Sequence, residues 1–410
     1  MASENIITSI DIGTSKIRTL IGSFAQEKSR DFHVLGVWAA NSYAIRKGNI
    51  LDMEEFKSNL DSSLEEAEKM SGEQVTGVNL SFNSSSFDVV TSKWIIAVSG
   101  DEVSADDIDR VLDMARNGVD LPNREILKVV PEYFIVDLEE WVKNPVGMSA
   151  RKLEVVANIF SMNKNILGNM KKAVADVGIE IYDIFPNLLT SAEGVLTKRQ
   201  KELWVVCIDV GASTTGVTVY EEWVLKFSTV IPIWGDSVTN DIALWARTSI
   251  DVAESLKLSR ATVWLSEETD KEQEILLSEI VSSEEGSITN IYLSQIVTAR
   301  YEEIFSFVGA ELKKIGRDGM LPEWAILVGW AVKQQWLIDT AKRVLRLPVF
   351  IGLPVEKESL SETSISDPVF AWVVWNLILW NRYGYKWGSL SFNIWWFFTS
   401  IVKVFKKILP

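Results

Sequence analysis

A single cysteine, Cys207, and a single histidine, His33, are all that the 410 residues contain of either type. One cysteine excludes an internal disulfide and fits a reducing compartment. One histidine argues against a Ser-His-Asp hydrolase and against a His-ligated zinc site. The opening residues, MASENIITSIDIG, lack the basic and apolar regions of a signal peptide. The longest apolar run, PVFAWVVWNLILW at 368–380, falls short of the ~20 residues of a spanning helix. Positive charge is in deficit too: the net charge is −15, which gives a nucleic-acid partner no electrostatic support. The expectation is a cytosolic chain, long enough for two or more domains, with an ordinary soluble balance of 47% hydrophobic and 24% charged residues.

Two segments share one plan. NIITSIDIGTSKIRTLIG (5–22) and ELWVVCIDVGASTTGVTVYEEW (202–223) each read as strand, tight turn, strand, around D-[IV]-G-x-[ST]. Such self-similarity about 200 residues apart suggests an internal duplication. A single copy is as well explained by an ordinary hairpin turn; two copies, one opening each half, favour a pair of phosphate clamps. Gly13 and Gly211 let backbone N–H groups face phosphate oxygens. Thr14, Ser15, Ser213 and Thr214 add hydroxyl donors beside Ala212, and Lys16 can pair with a phosphate. Asp11 and Asp209, at the strand ends, are placed to hold Mg²⁺ through water. The Walker pattern G-x-x-x-x-G-K-[ST] is absent, and neither turn runs into the helix of a dinucleotide fingerprint.

Paired strand–turn–strand clamps are the pattern of the actin, Hsp70 and sugar-kinase superfamily, and within it the chain resembles the FtsA family of bacterial cell-division proteins. The carrying segments are SIDIGTSKI (9–17), IRKGNILD (45–52), VKNPVGMSARKLEV (142–155), SAEGVL (191–196), CIDVGASTTGVTVY (207–220), FSTVIPIWGDSVTNDIA (227–243) and ILVGWA (326–331). The resemblance implies an α/β, actin-like ATPase fold with two duplicated lobes around a nucleotide cleft. It implies subdomain 1A at 1–82 and 161–202, an inserted 1C at 83–160, 2A at 203–235 and 307–385, 2B at 236–306, and a linker with a membrane-targeting helix at 386–410. ATP with Mg²⁺ would lie between 1A and 2A, the adenosine turn being Gly329, Trp330 and Ala331. The resemblance also implies filament formation through 1C and 2B, an FtsZ-like division ring protein meeting 2B, other division proteins meeting 1C, and a place on the cytoplasmic side of the inner membrane at the septum. An actin-like pilus assembly ATPase and a sugar or acetate kinase of the same superfamily are the alternatives. The family's second turn carries an acidic residue two positions past Thr214, where Gly216 stands here, and Glu193 is expected along a helix. ATP binding with at most weak hydrolysis is therefore expected.

At helical spacing the tail FNIWWFFTSIVKVFKKILP (392–410) gathers Phe397, Phe398, Ile401, Phe405, Ile408 and Leu409 on one face, with Lys403, Lys406 and Lys407 opposite. Lysines behind an apolar face fit a helix lying on an anionic membrane. The other reading, a helix docked on the protein's own core, has less in its favour at a terminus carrying local positive charge. A spanning anchor through 368–402 is broken by Asn381, Arg382, Lys386 and Asn393.

Tryptophan is the anomaly: 17 stand against 23 glycines, and glycine lies below the roughly 7% of an average protein. Compared with the family pattern, Trp38, Trp94, Trp141, Trp204, Trp223, Trp234, Trp330, Trp336, Trp375 and Trp380 fall on glycine or turn positions. The expectation is that most of their codons are UGA, read as glycine in the source organism.

Overall fold

The structure is a computed structural model of the chain. It describes residues 5–24, 32–233, 235–262, 271–317, 319, 321, 324–329, 332, 337–353 and 373–378.

The first lobe begins with an antiparallel meander, β1 (Asn5–Ile12), β2 (Lys16–Phe24) and β3 (Phe32–Asn41). A small hairpin of β4 (Ile45–Arg46) and β5 (Asn49–Ile50) leads to helix α1 (Met53–Ser71) and strand β6 (Gly77–Phe82). Helix α1 starts where the Asp52 carboxylate accepts from the Glu55 N–H at 3.0 Å and stops at Gly72, whose φ is 72°. Strand β6 lies parallel to β1, with Ile10 opposite Leu80.

An insertion follows: β7 (Asp88–Ala97), α2 (Ala105–Asn117), β8 (Arg124–Val136), β9 (Glu139–Val142) and β10 (Lys152–Asn163). Its strands form a separate sheet in the order β7-β10-β8-β9. The capping box Ser104–Asp107 opens α2, and Ile108, Val111, Leu112 and Ala115 pack against Phe134, Leu153 and Val155. The chain returns through α3 (Lys164–Asp176), β11 (Glu180–Pro186), α4 (Asn187–Val195) and α5 (Lys198–Glu202).

The second lobe repeats the plan with β12 (Val205–Val210), β13 (Thr215–Glu221) and β14 (Val224–Ile231). Then come α6 (Gly235–Ala246), α7 (Ile250–Ser259), β15 (Glu274–Leu276), β16 (Ser287–Thr289) and α8 (Asn290–Lys314). Strand β17 (Ala325–Val328), helix α9 (Leu337–Leu345) and strand β18 (Val349–Ile351) close it. The sheet orders are β11-β6-β1-β2-β3 and β18-β17-β12-β13-β14, so each lobe has an antiparallel meander extended by two parallel strands. This correspondence makes the duplication a property of the fold. Central strands flanked on both sides are buried throughout: every residue of VVCIDV in β12 is buried.

The insertion is joined to both lobes. On the first lobe, Lys128 Nζ lies 2.6 Å from both carboxylate oxygens of Asp183 and 4.1 Å from the centre of the Phe185 ring. On the second, the Asn158 amide donates to the Leu225 carbonyl at 2.7 Å, and Lys226 pairs with Glu132. Among the described residues no helix is long and apolar enough to cross a membrane. Trp330, Ala331 and the tail residues Phe397, Phe398, Ile401, Lys403, Phe405, Lys406, Lys407 and Ile408 lie outside the described residues.

Candidate functional site

The two glycine turns come together at the ends of β1 and β12. Each is closed by the same bond, Gly13 N–H to the Lys16 carbonyl and Gly211 N–H to the Thr214 carbonyl, both 3.0 Å. A Cβ on Gly13 would stand 2.7 Å from the Lys16 oxygen, so glycine is a steric condition of that turn. Between the turns lies a cleft of about 510 Å³, counted up to its open mouth and lined by Asp11, Ile12, Gly13, Thr14, Ser15, Arg18, Asn83, Asn187, Asp209, Gly211, Ala212, Ser213 and Thr214. The turns touch directly through the Thr14 and Ser213 hydroxyls. The Lys47 N–H, at the tip of the β4–β5 hairpin, donates to Ser213 Oγ at 3.0 Å.

Both aspartates are buried at the floor. Asp11 accepts from Arg18 Nη1 at 3.1 Å and from the Asn187 amide at 2.9 Å. Asp209 accepts from the Ser191 hydroxyl at 3.0 Å and the Asn83 amide at 3.3 Å. Burial, reinforced by the charge of Asp11, pushes the Asp209 carboxyl up to about 7. The carboxamide oxygens of Asn83 and Asn187 are buried without a donor among the described residues. Two carboxylates and two waiting acceptors suit a hydrated Mg²⁺, which keeps several waters and takes one or two carboxylates beside phosphates. Among the described residues no cluster of three or more acidic, histidine or cysteine side chains offers a protein-only metal cage.

Helix α6 adds its N-terminus to the second turn, with the Gly235 N–H on the Gly211 carbonyl at 3.1 Å and the Asp236 N–H on the Ala212 carbonyl at 3.0 Å. Burial pushes Asp236 up to about 6. Gly329 ends β17 at φ 98°, so close that a Cβ would meet the Val210 carbonyl at 2.4 Å and an Asp209 oxygen at 2.8 Å.

Of the sequence-predicted residues, Asp11, Gly13, Thr14, Ser15, Asp209, Gly211, Ala212, Ser213 and Thr214 line this one cleft, and Gly329 packs against its floor. Lys16 does not line it: its Nζ donates to the Asn41 side chain at 2.5 Å. The cation in the cleft is Arg18, which the sequence reading missed. Its signal was an arginine between the aliphatic residues of KIRTLIGSF, where burial without a partner is costly. Asn83, Asn187 and Ser191 were also missed. Glu193 lies in α4 and does not line the cleft; it accepts from the Tyr220 hydroxyl and pairs with Lys201, each at 2.7 Å.

Comparison with known proteins follows the same outline. Residues 85–161 match the family profile described as an SHS2 domain inserted in FtsA, and residues 206–374 match that of cell division protein FtsA. The chain is 29% identical over 369 residues to cell division protein FtsA of Pseudomonas aeruginosa, covering 90% of this chain and 88% of that one. With that of Borreliella burgdorferi it shares 28% over 391 residues, covering 95% and 94%. Among solved structures, a PilM–PilN type IV pilus biogenesis complex superposes with a TM-score of 0.65 at 13% identity, covering 92% of this chain and 98% of that one. MreB5 of Spiroplasma citri bound to ADP gives 0.53 at 13%, covering 93% and 98%. The fold is that of the actin-like ATPases.

Proposed function

Because this chain belongs to the cell division protein FtsA family, we propose that it is an ATP-binding protein that polymerises on the cytoplasmic face of the inner membrane and tethers an FtsZ-like division ring there. The observation that carries the nucleotide part is the meeting of two glycine turns of one plan from opposite lobes, each backed by a buried aspartate. In this reading the N–H groups of both turns hold phosphate oxygens. Arg18 offsets charge on the floor. Asp11 and Asp209 hold Mg²⁺ through its waters, and the Asn83 and Asn187 oxygens accept from those waters. Bound Mg²⁺ supplies charge neutralisation of the phosphates. The fold's nearness to MreB5, solved with ADP, supports a nucleotide in the corresponding place.

Hydrolysis is weak in this reading, because neither position expected to orient an attacking water offers a free carboxylate. Gly216 has no side chain, and Glu193 is engaged with Tyr220 and Lys201. The basic amphipathic tail supplies the membrane contact; subdomains 1C and 2B supply self-association, with 2B also meeting the ring protein and 1C other division proteins.

Co-sedimentation with anionic vesicles tests this, comparing the full chain with one ending near residue 390, with and without ATP and with phosphate release followed in parallel. The expected result is ATP-dependent pelleting that the truncation abolishes, with turnover below about 1 s⁻¹. ATP binding with no vesicle association would favour the pilus assembly ATPase. Phosphate transfer to a sugar or acetate at metabolic-kinase rates would favour the phosphotransferase.

A further inference from the structure

Four tryptophans occupy backbone suited to glycine, and we infer that the protein made in its own cell carries glycine at positions 141, 204, 223 and 324. Their φ angles are 63°, 73°, 74° and 82°. An L residue reaches this left-handed region rarely, and when it does it is chiefly Asn or Asp; a bulky side chain there is an outlier. The other non-glycine residues with positive φ are all polar or charged, among them Asn123 and Asp137. Tryptophan is the exception.

The local architecture at three of the four calls for glycine on its own account. Trp223 is the second central residue of the two-residue turn between β13 and β14, and Glu222 before it has φ 48°. Two positive φ angles make a type I′ hairpin turn, whose favoured sequences end in glycine. Trp204 directly follows Leu203, the C-cap of α5, which is where a left-handed glycine commonly ends a helix. Trp141 lies in β9, where pairing passes from Val136↔Glu139 to Phe134↔Val142. Strand β9 therefore carries one extra residue, and in one common form of this bulge the left-handed residue is glycine. Trp324 immediately precedes β17.

The indoles rest on what happens to be near. Trp141 stacks on Tyr133 at 4.2 Å, the Trp204 ring lies 3.6 Å from the Arg317 guanidinium carbon, and Trp324 lies against Phe350 at 4.3 Å. Among the described residues none of these four indole N–H groups has an acceptor. Trp94, outside the left-handed region, donates to Ser92 Oγ at 2.7 Å, as a built-in tryptophan does. One decoding difference accounts for the set: UGA assigned to glycine in the source organism and rendered as tryptophan. Geometry carries the inference for these four, adding Trp324 to the positions expected from sequence, and it lends nothing to Trp38, Trp94 or Trp375. Trp234, Trp330, Trp336 and Trp380 lie outside the described residues.

Peptide mass spectrometry of the protein isolated from its native cells, read beside the four codons, tests the inference. Glycine from UGA at all four is expected; tryptophan from UGG there would overturn it. Independently, Trp141→Gly, Trp204→Gly, Trp223→Gly and Trp324→Gly in a recombinant chain should raise the melting temperature by about 1–2 °C per position. An unchanged or lower value would remove the backbone argument.

Discussion

Asp209 reaches the cleft from a strand that is buried throughout, and burial together with Asp11 pushes its carboxyl up to about 7. In the unfolded chain the same group titrates near 3.9. Below about pH 4 both states hold the proton, and the favourable contribution of Asp209 is fully present. Between about 4 and 7 the unfolded chain ionises while the folded one resists, so ligand-free stability falls as pH rises through that window. Asp209→Asn removes the titration. Melts at pH 5 and pH 8 should therefore show a smaller loss in the variant, by up to about 2.6 kcal/mol. An equal loss in both proteins would mean that Asp209 ionises normally in the fold. At this scale the sequence was partly legible. The aspartates, glycines and hydroxyls of the turns could be read because a turn is local chemistry. Asn83 and Asn187 could not, because they meet Asp209 and Asp11 across 126 and 176 residues of chain.

Among the elements, β17 has little room for change where it ends. Gly329 combines φ 98° with a backbone oxygen 2.4 Å from any added Cβ, so Gly329→Ala must both strain its own backbone and displace β12 at Val210. A loss of at least about 2 kcal/mol is expected, read by urea denaturation, with nucleotide binding weakened in the same variant. Wild-type stability in that variant would show that β17 shifts freely, against the register Asp209↔Val328. The hairpins around both turns were legible from apolar runs on either side of D-[IV]-G-x-[ST], and SADDIDRVLDMARN reads as the helix that became α2. The seating of α6 on the second turn was not legible, since it depends on two backbone bonds that leave no mark in side-chain pattern.

Across the whole molecule, the two lobes are copies in strand order, and the insertion is what breaks the likeness. Its place was expected only from family resemblance, because nothing in the residue patterns of β7, β8 and β10 sets them apart from the strands of the lobes. How it docks was not legible: Lys128 in a strand gives no hint that Asp183 waits in another subdomain, nor Asn158 that the Leu225 carbonyl does.

That docking sets a time as well as a shape. The insertion is continuous with the first lobe yet holds β14 of the second through Asn158, Glu132 and Lys226, so the lobes cannot part without breaking these bonds. Separation of the lobes becomes an activated step, and any release that requires it is no faster than the opening of the clasp. Asn158→Ala combined with Lys226→Ala should shorten the residence time of a fluorescent ATP analogue about tenfold in stopped-flow chase experiments, the loss of roughly 1.4 kcal/mol of barrier. An unchanged dissociation rate would mean that the lobes open about a different seam.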